Sequence, residues 1–251
     1  MNILAKSRFL ALAIFILPVI SINLILIFSQ SFEFRYEPFP GNYFNNIKIY
    51  DAGDALRDKQ DLQRLGLAIP YIDGTTSISR LGRVFPNNLI FKPLMIITGF
   101  FICFFWFYQK KIIYILNNNY KSVNKFYYLG LMTGITLIIH SIFLGIKFDY
   151  KIFKFLLKLN LATCLVSALI CKLYYVKIIK DISKYNLMFK NTYFKSQFIL
   201  VYLLLVILFL SLLLLFLENS KTYILIVEWN YFIAIFLFYL LNYLGSKKIN
   251  L

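Results

Sequence analysis

The stretch from Phe9 to Phe28, FLALAIFILPVISINLILIF, contains 20 residues and no charged side chain. A helix of about 20 apolar residues crosses the hydrocarbon core of a bilayer, which is about 30 Å thick. Lys6 and Arg8 precede the stretch, as basic residues precede the core of a signal peptide. That core is usually only about 7–15 residues long. We therefore predict a membrane-spanning helix here.

Further apolar stretches of similar length follow, so the chain is predicted to cross a membrane six times. The predicted spans are about 8–29, 87–108, 126–147, 153–176, 196–217 and 222–243. The composition agrees, because 60% of the 251 residues are hydrophobic and 15% are charged. Soluble domains average about 45–50% apolar and about 25% charged residues. The sequence predicts an all-α membrane protein, a six-helix bundle in one domain over residues 1–251. It excludes a soluble enzyme, a disordered tail and a secreted disulfide scaffold.

The basic residues are divided unevenly between the two ends of the predicted spans. The formal net charge is +16, and one set of loops and span ends contains fourteen basic residues and one acid, Asp181. These bases are Lys6, Arg8, Lys110, Lys111, Lys121, Lys125, Lys172, Lys177, Lys180, Lys184, Lys190, Lys195, Lys247 and Lys248. Lys and Arg accumulate in short cytoplasmic loops. Both termini are therefore predicted to be cytoplasmic, in an endomembrane (ER, Golgi or lysosome) or in the plasma membrane.

The opposite side carries one long loop, residues 30–86, with seven basic and seven acidic residues. Aromatic residues alternate with polar ones over 32–36, which predicts a strand, and 47–49 indicates a second strand. The stretch 55–65 is predicted to be helical, and Asp73-Gly74 is predicted to be a turn. The loop is therefore expected to fold as a small α+β cap on the lumenal or external face.

Residues that could carry catalysis are scarce. His140 is the single histidine, so a multi-histidine metal site cannot form. A catalytic triad would have to be built around this one imidazole. The cysteines Cys103, Cys164 and Cys171 all lie in apolar stretches and are expected to be buried free thiols. We expect no metal site, no cofactor and no nucleic-acid partner.

Polar residues recur at one depth below the predicted outer boundaries. They are Asn23, Lys92, His140, Lys158, Ser211 and Glu228, one from each span. At 1.5 Å per residue they lie roughly 8–11 Å below the interface. Polar groups in hydrocarbon turn inward and find partners. They are therefore expected to form a polar cluster in the outer half of the bundle.

Glu228 is the most unusual member of this set, since a carboxylate inside an apolar stretch is costly. We predict that Glu228 pairs with Lys158 or Lys92, with His140 near by. The positive charge left over would suit a lipid phosphate from the outer leaflet. The alternative is that the lysines snorkel outward and that Glu228 bonds a neighbouring helix.

A second feature is the GxxxG spacing of Gly130 and Gly134 in the third predicted span. Small residues at this spacing permit close approach of a neighbouring helix. The motif is also common by chance in apolar segments, and the sequence leaves these two explanations open.

Several short stretches resemble a known family. They are Ile69-Pro70-Tyr71-Ile72, Ser77-Ile78-Ser79, Pro86, Phe148-Asp149, Leu157-Lys158, Ala162 and Glu228-Trp229. With this order of spans and loops, the chain resembles the six-span group that includes the DRAM autophagy modulators, the FGF-receptor-activating protein and the post-GPI-attachment lipid-remodelling factor. The family-motif residues are then Pro70, Ile72, Ser77, Ser79, Pro86, Glu228 and Trp229. The chain departs from the pattern at Lys158, where many members have a histidine.

The resemblance implies a role in membrane-lipid biology, with branches linked to GPI-anchor remodelling, autophagy and phosphoinositide regulation. It implies no catalytic residues. The function expected from it is that of a multi-pass protein that binds or presents a membrane lipid, as a non-catalytic accessory to GPI-anchor or phospholipid remodelling. The expected partners are membrane lipids, phospholipid or GPI-like.

Three alternatives stay open. The first is an assembly subunit of a larger complex, whose partners are other membrane proteins. The second is a lipid acyltransferase or lipase-like enzyme with His140 or Glu228 as base; the lone histidine and the lack of a recognisable nucleophile count against it. The third is a transporter, which favours helices interrupted near the midplane. Pro18 and Pro93 lie within spans, and Pro93 lies away from the midplane.

The predicted topology can be tested by labelling from one side of the membrane. Cysteines introduced at Ser122 and Gln60 should react with an impermeant reagent from opposite sides, because the two residues lie in loops of opposite predicted side. Labelling of both from the same side would contradict the six-span arrangement.

Overall fold

The computed structural model describes residues 3–31, 69–83, 87–116, 123–146, 151–184, 192–214 and 221–247. Its helices are α1 (Ile3–Ser31), α2 (Pro70–Asp73), α3 (Ile78–Arg83), α4 (Asn87–Leu116), α5 (Val123–Phe143), α6 (Lys151–Ile182), α7 (Thr192–Leu214) and α8 (Lys221–Lys247). Six of them are long and apolar enough to cross a membrane, namely α1 and α4 to α8. The predicted all-α architecture with six such helices is confirmed for the described residues, and it is compatible with a multi-pass membrane protein.

The described part of the predicted cap, residues 69–83, is helical and contains no strand. Pro70 stands in the first turn of α2, where its missing N–H is not needed. Gly74 ends α2 in the left-handed conformation, with φ +58°. The predicted turn at Asp73-Gly74 is thus confirmed, whereas an α+β cap is not what this part of the chain forms. The remaining cap predictions, the strands at 32–36 and 47–49 and the helix at 55–65, lie outside the described residues.

The six long helices are arranged as a ring of neighbours, in the order α1, α4, α5, α6, α7, α8 and back to α1. The contact between α6 and α7 is the smallest of the six. Helix α2 packs on α8, and α3 packs on α1 and α4. We call this end of the bundle the cap end. The opposite end, where α1 begins and α4, α6 and α8 finish, we call the basic end.

Helices α4 and α5 pack closely at glycines. A Cβ atom at Gly134 would meet the Cys103 sulfur and lie 2.6 Å from the Gly99 carbonyl oxygen, and one at Gly130 would overlap the Trp106 side chain. The GxxxG of α5 is therefore a packing surface in this structure, in the manner expected of small residues between spanning helices.

An aromatic layer is buried near the basic end of the bundle. Trp106 packs edge-to-face against Phe105, Phe126 and Tyr175, at centroid distances of 5.0, 5.8 and 5.5 Å. Aromatic pairs favour this geometry, because the positive ring edge meets the negative face of the partner. The layer joins α4, α5 and α6.

Lys172 lies inside the bundle, with 1% of the residue exposed. Its Nζ donates to the Ile235 carbonyl oxygen at 3.0 Å and lies 5.4 Å from the ring centroids of Phe238 and Tyr239. The sequence analysis counted this amine among the charges of the cytoplasmic ends. In the structure this amine is buried and faces α8, while α6 itself runs on to Ile182.

A buried polar network closes the bundle near the basic end. Gln109 Nε2 donates to Ser7 Oγ at 2.9 Å and to Asn242 Oδ1 at 3.1 Å. Tyr175 donates its hydroxyl to Gln109 Oε1 at 3.2 Å and accepts from Asn242 Nδ2 at 2.7 Å. The network joins α1, α4, α6 and α8, so that these polar groups satisfy one another without water.

The close packing of α4 on α5 predicts a sharp effect at Gly134. Gly134→Leu should lower the free energy of unfolding by about 1–3 kcal/mol, because the new side chain must push the two backbones apart. Thermal denaturation in detergent, followed by circular dichroism, measures the change. Ile135→Leu is the matched control, since Ile135 is exposed on the same helix. Equal melting temperatures for the two variants would contradict the packing role.

Candidate functional site

Three consecutive residues of α8, Glu228, Trp229 and Asn230, all bond to the backbone of the cap segment 69–83. We call this set of contacts the cap clamp. The Asn230 side chain contributes a hydrogen bond from Nδ2 to the Tyr71 carbonyl oxygen at 2.9 Å. Every bond of the clamp crosses about 150 residues of chain, so it determines where the cap segment sits on the bundle.

Glu228 lies at the start of α3. Its Oε1 accepts from the Ile78 N–H at 3.1 Å, and the carboxylate also accepts from the Ser79 N–H. Arg80 is close enough to act on the carboxylate electrostatically. A carboxylate removed from water is tolerated when charged hydrogen bonds replace its hydration. The first N–H groups of a short helix, which have no partner within the helix, provide those bonds here.

Trp229 is fully buried and provides the second bond of the clamp. Its indole Nε1 donates to the Thr76 carbonyl oxygen at 2.7 Å. The Tyr71 ring packs edge-to-face on the indole, with centroids 4.9 Å apart, and donates its hydroxyl to Asn23 Oδ1 at 3.3 Å. Burial raises the pKa of the Tyr71 phenol, so it stays a protonated donor at neutral pH. The clamp thereby reaches α1 as well as α8.

Gly74 allows the cap segment to touch α8. Its φ of +58° is one that side chains rarely adopt. A Cβ atom at this position would also overlap the Thr222 carbonyl oxygen and lie 3.0 Å from Ile226 Cγ1. A glycine is therefore required here both by backbone conformation and by the close approach of the cap to α8.

The structure does not pair Glu228 with either predicted lysine. Lys92 Nζ donates instead to the Ile142 carbonyl oxygen at 3.4 Å, at the end of α5. Lys158 is exposed on the outer half of α6. No ion pair between Glu228 and these amines exists in the described part of the chain, because the N–H groups of α3 occupy the carboxylate.

The other members of the predicted polar cluster are satisfied separately. Asn23 donates to the Val19 carbonyl oxygen at 2.7 Å and accepts from Tyr71, so it joins the clamp. Ser211 bonds within its own helix, to the Leu208 carbonyl oxygen at 2.7 Å. His140 is partly buried on α5, and its Nδ1 has no hydrogen-bond partner among the described residues. Of the six residues, only Asn23 and Glu228 come together around the cap segment.

The family-motif residues fall around the same clamp where they are described. Pro70 begins α2, and Ile72 on that helix is exposed. Ser77 Oγ accepts from the Arg80 N–H at 3.1 Å, while Ser79 contributes its N–H to Glu228. Pro86 lies outside the described residues.

A second candidate site is a groove between α6 and α7 at the basic end, with a volume of about 550 Å³. This size is typical of small-ligand pockets, which range from about 300 to about 1,000 Å³. Its apolar walls are formed by Val176, Ile179, Phe194, Phe198 and Ile199. Its polar lining is formed by Lys180, Ser183, Lys184, Lys195 and Gln197. We call this site the basic groove.

The three lysines of the basic groove make different contacts. Lys180 Nζ lies 4.8 Å from the centroid of the Phe198 ring, a cation–π contact across the groove. Lys184 Nζ pairs with Asp181 Oδ1 at 3.0 Å. Lys195 is exposed and makes no hydrogen bond or ion pair with any described residue. The groove therefore combines apolar walls with amines at its mouth.

Sequence reasoning used these lysines only for topology and did not identify the basic groove. A signal was present, because Lys180 and Lys184 lie four residues apart at the end of an apolar stretch. The residues of α7 that line the groove show no comparable pattern in the sequence. The comparisons with known proteins add nothing to either site, since no family model, curated protein or solved structure matches the chain.

The cap clamp predicts that losing a single N–H group weakens the fold. Trp229→Phe keeps a ring against Tyr71 but leaves the buried Thr76 carbonyl without its donor. The free energy of unfolding should fall by about 1–3 kcal/mol. Tyr223→Phe is the control, because Tyr223 is exposed on the same helix and has no described hydrogen bond. Thermal denaturation in detergent and proteolysis within 69–83 give the two readouts. Identical behaviour of the two variants would show that the clamp does not hold the cap.

Proposed function

We propose that this chain is a membrane-lipid-binding protein that holds a lipid in the basic groove, as a non-catalytic accessory to lipid remodelling or regulation. The groove itself is the observation that carries this proposal. A lipid needs apolar walls for its acyl chains and polar groups at the level of its headgroup. The basic groove offers both at one end of two membrane-spanning helices.

The place of the groove in the bundle supports the proposal. It lies at the contact between α6 and α7, which is the smallest around the ring among the described residues. Ile199 on its wall is 65% exposed. Binding sites of membrane proteins for lipid headgroups commonly take this form, a basic pocket between spanning helices.

The role in GPI-anchor or phospholipid remodelling rests on the family resemblance alone. Two stretches that carry this resemblance, Ser77-Ile78-Ser79 and Glu228-Trp229, meet in the cap clamp. Their contact gives both stretches a structural role in seating the cap, which is compatible with an accessory protein.

The proposal predicts that a bulky side chain in the groove displaces lipid. Ile199→Trp should reduce the lipid that copurifies with the protein by at least half, because the indole fills the space between α6 and α7. Native mass spectrometry with lipid identification measures the retained lipid. Val206→Trp is the matched control, since Val206 is 57% exposed on the same helix but does not line the groove.

Three outcomes would overturn the proposal. Equal lipid retention by both tryptophan variants would show that the groove is not the site. A tightly bound protein and no lipid would favour the assembly subunit. Hydrolysis or acyl transfer on an added phospholipid by the purified protein would favour the enzyme.

A further inference from the structure

The mouth of the basic groove carries an excess of positive charge. Three amines, those of Lys180, Lys184 and Lys195, lie on its lining, and Asp181 is the one carboxylate described beside them. Asp181 is already paired with Lys184, and neither Lys180 nor Lys195 has a carboxylate partner among the described residues. Two positive charges are therefore left without a counter-ion at the headgroup level of the groove.

We infer, resting on the lipid site proposed above, that the groove selects an anionic glycerophospholipid, with its phosphate between Lys180 and Lys195. Helix α6 supplies one amine and α7 supplies the other, so a phosphate placed between them bridges the two helices at their smallest contact. A phosphate oxygen is the strong acceptor that such ammonium groups bind. A zwitterionic choline lipid is disfavoured, because its quaternary ammonium would lie among amines of like charge.

The acyl chains of this lipid lie along the apolar walls of the groove. Phe198 takes part in both ends of the site, since its ring contacts the Lys180 amine on one side and forms part of the apolar lining. The lipid belongs to the leaflet at the basic end, which the charge distribution predicts to be the cytoplasmic one.

The carboxylate of Asp181 competes with the lipid phosphate for the lysine amines. Its carboxylate lies 3.0 Å from the Lys184 amine and places a negative charge beside the lysines of the groove. Removing this carboxylate should therefore strengthen the preference for an anionic lipid. A purely structural role of the ion pair would leave lipid preference unchanged, so the sign of the effect separates the two explanations.

The experiment is a competition between phosphatidylglycerol and phosphatidylcholine with identical acyl chains. The intact protein is placed in nanodiscs with equal amounts of both lipids, and native mass spectrometry gives the ratio of bound lipids. We expect the anionic lipid to be enriched severalfold on the unmodified chain. Lys180→Gln with Lys195→Gln should remove most of this enrichment, because both amines proposed to bind the phosphate are lost, and Asp181→Asn should increase it.

The matched control is Lys177→Gln with Lys247→Gln. It removes two lysines from the same end of the bundle, and neither of them lines the groove. Its enrichment should equal that of the unmodified chain. An equal loss in both double variants would show a general effect of surface charge and would overturn the inference.

Two further outcomes separate this inference from the proposed function. If lipid binds in the groove but both headgroups bind equally, the selectivity is wrong and the lipid site remains. If neither lipid is bound at the groove, both fail. Displacement of the lipid by inorganic phosphate, but not by chloride at equal ionic strength, would show that the ligand is a soluble anion and would overturn the lipid assignment.

Discussion

The carboxylate of Glu228 and the first N–H groups of α3 satisfy each other, and the position of the cap depends on this exchange. Neither partner is stable there alone, because a buried carboxylate and unpaired N–H groups both lose their hydration. Trp229 and Asn230 bond the next carbonyl groups of the same segment. A short helical segment is thereby seated on the ends of the spanning helices α1, α4 and α8.

Buried polar groups elsewhere in the bundle also need hydrogen-bond partners. Near the basic end, Gln109, Asn242, Tyr175 and Ser7 satisfy one another in a closed network. Between the two ends, the charge of Lys172 is met by a carbonyl group and two aromatic rings. In both places, polar groups between the helices find their partners on a neighbouring helix.

The architecture was largely predictable, and the partners of individual polar groups were not. Apolar stretches have a length set by bilayer thickness, so six helices follow from the sequence alone. Glu228 was recognisable as unusual because an acid in such a stretch is rare. Its partner is backbone, and backbone N–H groups leave no mark in a sequence. Pairing by charge therefore selected Lys92 and Lys158, which lie elsewhere. The basic groove was missed for a related reason, since it arises from how α6 and α7 face each other.

The small contact between α6 and α7 also affects how a lipid would reach the groove. A lipid in the proposed site would enter from within the leaflet rather than through water. Occupancy then depends on the mole fraction of that lipid among its neighbours rather than on an aqueous concentration. Because lipids in a leaflet are densely packed, even a weak preference keeps the groove filled. The occupancy of such a site would follow changes in the lipid composition of the membrane.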